Sequence, residues 1–521
     1  MKRRWLLWGV ALALGALFIF VQLARSLEPL ALDQGLFACF GRWVPRGALP
    51  YRDLYDTKPP LHLYTWALGF GLGGSATSMW CFEALWLAAT LALAFLLARK
   101  LWGAWAGVAA ATLMMLGLWA PGFGGWWSRA QAEELMVLPM LGAAWFALAA
   151  ITAPRRAALA GVVTGVVGLY KLPGMAVAAA WLALWLGALG LARWRDSARR
   201  LGWFAAGLAA PWLVTIAWFA AHGAAGDLYD AIIVHQRHYA AVIAPPWSWV
   251  ARELPRVLAR QLGLLLLPGA IGLLLLWFRD RPRALWLTTW IAISIITVAV
   301  QRQLAGYHYL LIVPGLALAA GYGLALLPLE LSRGRAAHRV LAAGAAFAIL
   351  ILAARTTLDW RDAYGPGARH RFGALSRADY LASFPRGLLS PAVEEDAGRY
   401  LAAHTRPGDG ILVWGLSPGI YALADRHPVT RYPFHKLLLT DAPLSRLIPG
   451  LAARRADLLR RLHADAPAYI LIGTQDRNPF EPQDSVQGLR AFADLAAFIK
   501  PSYREETRIG RFVVLRRISA M

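Results

Sequence analysis

Pro50-Tyr51-Arg52-Asp53-Leu54-Tyr55-Asp56-Thr57-Lys58-Pro59-Pro60-Leu61 opens into an apolar stretch, PPLHLYTWALGFGLGG at residues 59–74, and the reading of that stretch decides the fold. A membrane-crossing helix needs about 20 mostly apolar residues. Residues 59–74 are fewer than that and begin with Pro-Pro. Basic clusters sit at Lys2/Arg3/Arg4, Arg99/Lys100, Arg155/Arg156, Arg193/Arg195/Arg199/Arg200, Arg279/Arg281/Arg283 and Arg333/Arg335/Arg339. If 59–74 does not cross, these clusters fall in every second connection, and all can face the cytoplasm together. If it crosses, Arg99/Lys100 and most later clusters move outside. The stretch therefore reads as a re-entrant or interfacial helix on the outer side.

Working outward, membrane-length apolar runs lie near 5–24, 76–98, 101–119, 134–152, 157–172, 173–191, 201–221, 261–278, 284–300, 308–328 and 338–354, about eleven in all. The first follows Met1-Lys2-Arg3-Arg4 and has a signal-peptide look. The segment Gln22-Leu23-Ala24-Arg25-Ser26 offers no convincing cleavage site, so it reads as an uncleaved anchor. Composition agrees: the 521 residues are 58% hydrophobic, 16% charged and include 25 Trp. Soluble domains carry roughly 45–50% apolar and about 25% charged residues. Disorder is excluded by the hydrophobicity, and a disulfide-built fold by having only Cys39 and Cys81. The net charge of +23 fits cytoplasmic loops and anionic headgroups, and no nucleic-acid partner is called for. No repeat of solenoid or propeller type is evident.

The character changes after Arg355. Residues 355–521 are charged, punctuated by Gly and Pro, and hold no membrane-length run. Helices are expected at 392–404, 417–425, 451–464 and 486–498, with buried strands at 411–414 and 468–472 and an edge strand at 511–515. Short apolar strands alternating with helices predict a small α/β domain. The expected organisation is an α-helical polytopic membrane domain at 1–354, a linker at 355–389 and an α/β domain at 390–521. The alternation of basic loops puts the N-terminus inside and everything after residue 355 outside.

Ionisable residues collect in the connections assigned to the outer face. The first holds Glu28, Asp33, Asp53, Asp56 and Lys58; the second holds Ser128, Arg129, Gln131, Glu133 and Glu134. Lys171 lies between two spans, 222–258 contributes Asp227, His235, Arg237 and His238, and 301–309 contributes Arg302, His308 and Tyr309. Such groups cost roughly 2.5–3.5 kcal/mol each at the bilayer centre, so they should line a cavity. Convergent acids and bases at one membrane face suit a charged lipid headgroup. Pro59-Pro60 fixes the chain beyond Lys58 and holds Lys58 itself extended. Lys58 is then either a point cation for a phosphate or a lysine snorkelling to headgroups. Asp33 is either a carboxylate that takes a proton from an acceptor hydroxyl or a helix cap or turn residue. A helix N-terminus accounts for one of Glu133 and Glu134, and His308 alone is as well read as a packed, hydrogen-bonded histidine. P-loop, Rossmann, HExxH and paired CxxC signatures are absent.

These residues have a family look. Asp33-Gln34-Gly35, Gly47-Ala48-Leu49-Pro50-Tyr51-Arg52-Asp53 and Asp56-Thr57-Lys58-Pro59-Pro60-Leu61 resemble the first outer loop of GT-C fold glycosyltransferases. The resemblance is to bacterial members of the dolichyl-phosphate-mannose protein mannosyltransferase and aminoarabinose transferase superfamily. Gln131-Ala132-Glu133-Glu134-Leu135-Met136 is similar to the second-loop acid motif, and Gly306-Tyr307-His308-Tyr309-Leu310 with Pro314 to the late turn entering a span. Pro407-Gly408-Asp409, Trp414-Gly415 and Arg426-His427-Pro428 are similar to the soluble outer domain.

The resemblance implies transfer of a sugar from a polyprenyl-phosphate carrier to an acceptor at the outer membrane face, with inversion at the anomeric carbon. It implies Asp33 and Glu133 as catalytic carboxylates and Lys58 at the donor phosphate. Asp53, Asp56, Arg129, Lys171, Arg302, His308 and Tyr309 are the further candidates for substrate contact. Two departures stand out. Many relatives have Asp-Glu where this chain has Asp33-Gln34, and aminoarabinose transferases carry a metal-associated Glu where this chain has Thr57. The second argues against a lipid A aminoarabinose assignment; no cofactor is required, and a divalent metal stays open. The rival readings are a multi-span transporter, which would show internal repeats and midplane charges, and an inactive assembly or sensor protein with a ligand-binding outer domain.

Overall fold

A computed structural model describes residues 2–120, 125–333, 336–385, 390–433, 439, 449–477 and 482–518. Its helices, in chain order, are α1 (Lys2–Arg25), α2 (Leu32–Trp43), α3 (Pro60–Gly71), α4 (Ala76–Trp102), α5 (Ala104–Leu118), α6 (Ala132–Leu135), α7 (Val137–Ala149), α8 (Arg156–Tyr170) and α9 (Ala178–Leu189). There follow α10 (Trp194–Ala221), α11 (Ala225–Tyr229), α12 (His235–Ile243), α13 (Trp247–Arg279), α14 (Arg281–Gln301), α15 (Val313–Arg333), α16 (Ala336–Arg371), α17 (Arg377–Ala382) and α18 (Pro391–His404). Strands β1 (Ile411–Trp414), β2 (Tyr469–Gly473), β3 (Tyr503–Ile509) and β4 (Phe512–Arg517) alternate with α19 (Gly419–Ala424), α20 (Leu451–Ala464), α21 (Ser485–Ala491) and α22 (Ala493–Ser502).

Among the described residues seven helical stretches are long and apolar enough to cross a membrane, and Ala104–Leu118, Arg156–Tyr170 and Val313–Leu327 are shorter apolar helices. The expected span at 338–354 falls in α16, where many side chains lie outside the described residues. The composition change at Arg355 ends no helix, because α16 runs on to Arg371. Helix α3 has 12 residues, about 18 Å at the α-helical rise, against a hydrocarbon core of about 30 Å. It is too short to span, as its Pro-Pro start and length predict.

The chain divides into two compact units. The first comprises residues 1–25, 82–218 and 245–368. It is a helical bundle in which α15 lies against both α5 and α13. Small residues let these backbones approach, as helices in lipid require. A Cβ at Gly272 of α13 would sit 1.8 Å from the Ala319 carbonyl oxygen of α15, so only glycine fits there. Trp181, Trp286 and Trp290 fill the space between α9 and α14, with Trp181 and Trp290 edge-to-face at 5.1 Å.

The second unit comprises residues 26–81, 219–244 and 369–521. Its sheet has the order β1-β2-β4-β3. The first pair is parallel, Ile411 opposite Tyr469 and Trp414 opposite Ile472, and the others are antiparallel. Both β1 and β2 are buried throughout, which is why they read as continuous apolar runs. The segment expected to be the edge is instead the internal strand β4, and the edge on that side is β3. Its sequence, YREETRI, is charged and mostly exposed, the usual guard against edge pairing and the reason it escapes an apolar-pattern search. The helix expected at 486–498 is two, α21 and α22, parted at Phe492. Helices α2 and α3 pack on each other, and α2 also packs on α19.

Candidate active site

The first charged cluster lies in the second unit and is assembled by the 26–81 segment. Helix α2 begins at Leu32 with Ala31 as its N-cap. Ala31 has no polar side chain, and its backbone N–H donates to Gln34 Oε1 at 2.7 Å. The capping task therefore falls to the buried Gln34. Asp33 is the second residue of the helix and half-buried. The cap reading of Asp33 does not describe this helix.

The loop from 44 to 60 is tightly folded. Tyr51 takes a left-handed backbone conformation, φ 70°. Asp53 Oδ2 accepts the Leu49 N–H at 2.8 Å, and the Asp53 carboxylate pairs with Arg52 at 2.9 Å. Asp53 thus closes its own turn. The buried Tyr51 hydroxyl donates to the Lys58 carbonyl at 2.8 Å, and the Gln236 side-chain amide donates to the Thr57 carbonyl at 2.9 Å. Pro59 caps α3 and Pro60 occupies its first position, where a missing N–H costs nothing. The Lys58 backbone is held from both sides, and its Nζ stands 5.9 Å above the Phe37 ring. Phe37 is one turn beyond Asp33 on α2 and meets His62 of α3 edge-on at 4.3 Å.

Asp56 links these pieces. Its side chain is buried, and Oδ1 accepts the Thr57 N–H at 2.6 Å. Burial pushes its carboxyl up to about 6; Lys58 pulls it down and the Asp33 charge pushes it further up. Asp33, Asp56 and Lys58 therefore share one electrostatic neighbourhood. Near it, the Tyr55 hydroxyl donates to Asp230 at 3.0 Å, and Arg431 stands 5.4 Å over the Tyr55 ring while bonding Asp227 at 3.0 Å.

The second cluster lies in the first unit. Glu133, in α6, is fully buried and its Oε1 accepts from Lys171 Nζ. His308 Nε2 is 3.5 Å from the same oxygen. Lys171 sits at the break after α8 in an extended conformation and lies 6.0 Å from the Tyr307 ring centroid, and Tyr307 meets His308 edge-on at 5.0 Å. Tyr309 is buried beside them in the short helix Gly306–Leu311.

The remaining candidates make contacts within the first unit. Arg129 is buried, with Nε donating to Glu83 at 2.5 Å and Nη1 to the Arg25 carbonyl at 2.5 Å. Glu134 accepts the N–H of Ala130, whose φ is +52°, so one of the two acids stabilises the strained turn and the other faces Lys171. Arg302 caps α14 in the left-handed region, donates to the Pro245 carbonyl at 2.8 Å and stacks on Trp247 at 5.2 Å. Sequence reading missed Glu83. Its signal was available, since an acid inside an apolar 27-residue helix calls for a buried partner. Among the described residues no group of three or more His, Cys, Asp or Glu side chains converges as a metal site.

No family model and no curated protein sequence matches this chain. Solved structures do. The chain is similar to ArnT from Cupriavidus metallidurans bound to undecaprenyl phosphate, with a TM-score of 0.58 and 18% identity, covering 100% of this chain and 99% of that one. Against the apo state of the same protein the TM-score is 0.56 at 17% identity, covering 98% of each chain. The chain shares the fold of that protein over its full length.

Proposed function

We propose that this protein is a glycosyltransferase that moves a sugar from a polyprenyl-phosphate carrier to an acceptor at the outer face of the cytoplasmic membrane. The observation that carries the reading is the convergence of Asp33, at the start of α2, with Asp56 and Lys58 on the loop held by Tyr51, Gln236 and the Pro59-Pro60 pair. The fold supports it, since the similar protein from Cupriavidus metallidurans was solved with undecaprenyl phosphate bound.

The anomeric carbon of such a donor already carries a phosphate leaving group. The acceptor oxygen forms the new bond to that carbon, and the carbon–oxygen bond to phosphate breaks with its electron pair leaving on the polyprenyl phosphate. The acceptor proton passes to the Asp33 carboxylate, which acts as the general base. The Lys58 ammonium meets the charge that develops on the departing phosphate. A single displacement of this kind inverts the anomeric configuration. Asp56, held near 6, can share a proton with this cluster at neutral pH. Glu133 takes the supporting acid role, with Lys171 and His308 as its partners. The carrier is lipid and the acceptor a lipid, glycan or protein.

The test uses purified full-length protein, a panel of polyprenyl-phosphate sugars, and an extracted membrane lipid and glycan fraction as acceptor. Release of polyprenyl phosphate with at least one donor is expected. No release from any donor overturns the reading. For orientation, reporter fusions after Arg335 and after Arg377 should report opposite compartments, and the same compartment for both refutes the assigned sidedness.

A further inference from the structure

The helix that carries Asp33 is seated on the C-terminal domain. At its start, a Cβ on Gly35 would lie 2.8 Å from both Cα and N of Gly419, the first residue of α19. In the other direction, a Cβ on Gly419 would lie 3.2 Å from Gly35 Cα. Neither glycine has the positive φ that would require it, so the close approach of two backbones accounts for both. At the far end of α2, Arg42 donates to the Ala422 carbonyl at 3.1 Å and pairs with Asp425 at 3.3 Å, and Arg46 pairs with Asp425 at 2.7 Å. Between these ends Cys39 is fully buried. Helix α19 is itself fixed to the sheet, because the buried Tyr421 hydroxyl accepts the Val413 N–H of β1 at 2.8 Å.

We propose that the C-terminal α/β domain is the positioning element of the Asp33 helix, with Gly35 and Gly419 as the positioning residues, a role that rests on the function proposed above. Asp33 is two residues from the glycine contact. A displacement of α2 there moves its carboxylate relative to Asp56 and Lys58 without altering any group that meets the substrate. The domain then acts on turnover rather than on carrier binding.

The experiment compares full-length Gly35→Ala and Gly419→Val with Leu495→Ala. Leu495 is buried in α22, which packs on β3, so its truncation weakens the same domain without touching α2. Both glycine variants should lose at least 10-fold in kcat with KM for the polyprenyl-phosphate sugar changed less than 3-fold. The acid limb of their pH–rate profiles should shift, since Asp33 no longer stands at its set distance from Asp56. The double variant should be no worse than the poorer single, as expected for residues sharing one contact.

Maleimide labelling of the native protein gives a readout that needs no activity. In a Cys81→Ser background, which leaves Cys39 as the one reporter, Cys39 labelling should rise at least 10-fold in the glycine variants and stay slow in Leu495→Ala. Unchanged Cys39 protection in both glycine variants overturns the seating. Faster Cys39 labelling with unchanged kcat and pH profile overturns the positioning role. A wild-type protein inactive on every donor overturns the proposed function instead, and leaves the seating to be decided by Cys39.

Discussion

Replacing Asp33 with Asn removes one charge and one proton acceptor while keeping size and shape. The helix start is held by Gln34 Oε1 on the Ala31 N–H, so no cap is lost. What remains structurally is a carboxylate in the first turn of α2, worth about 0.3–1 kcal/mol against the helix dipole. The variant should fold, insert and bind carrier with at most that loss of stability. Turnover should fall by about 10²–10⁴-fold, the usual contribution of a positioned base, or roughly 2.7–5.5 kcal/mol of barrier. A second effect follows from the neighbourhood. The Asp33 charge helps hold the Asp56 carboxyl up near 6, so Asp33→Asn should lower the Asp56 pKa and move the acid limb of the residual pH–rate profile to lower pH. The assay is single-turnover release of polyprenyl phosphate from pH 4.5 to 8, with monodispersity and melting measured alongside. Near-normal turnover with an unmoved acid limb refutes the catalytic assignment and transfers it to Glu133, where Glu133→Gln applies the same test.

Lys58→Ala should weaken carrier binding by roughly 1.5–3 kcal/mol, the value of a charge-assisted contact, with Lys58→Arg intermediate; equal carrier affinity in titration calorimetry would make Lys58 a headgroup lysine. Glu83→Ala leaves Arg129 buried without its 2.5 Å partner, a change that costs roughly 3–5 kcal/mol, and should lower the melting midpoint in detergent markedly, with part recovered in Glu83→Ala/Arg129→Met. Burial pushes the Glu394 carboxyl up to about 7, so the folded state holds a proton that the unfolded state releases near 4.3, as an approximate reference value. Stability of the second unit should therefore be full below about pH 4 and fall as pH rises through 7. Glu394→Gln should flatten that slope, and an unchanged slope in thermal scans would refute it.

What could be read from the sequence depended on how local each signal was. The long spans are local, since 20 apolar residues in a row have no other use. The Lys58 position was legible because two prolines fix a backbone wherever they occur. The short helix at 60–71 followed from the same pair and from the length of the apolar stretch. Strand β3 was not legible, because an edge strand with charges on both faces has no apolar period. The pairing of Glu133 with Lys171 across 38 residues, and of Arg129 with Glu83 across 46, depends on helix packing that no window of sequence contains. Asp33 was ambiguous for a different reason: an acid near a helix start suits both a cap and a base, and the position of Ala31 as N-cap removes only the first.

The seat of α2 lies far along the chain. Arg46 and Asp425 are 379 residues apart, and at roughly 5–20 residues per second of synthesis that separation is about 20–75 s of translation. During this interval α2 has been made and its seat has not. A chain that ends between Lys58 and Gly419 holds Asp33, Asp56 and Lys58 and none of α19, the helix on which α2 is seated. Late closure of so long a loop is slow, because its entropy must be lost before the contact is gained. On the proposed function, the reactive geometry would form only once translation has passed α16 and reached α19, so a chain that stops short of that point would be inactive.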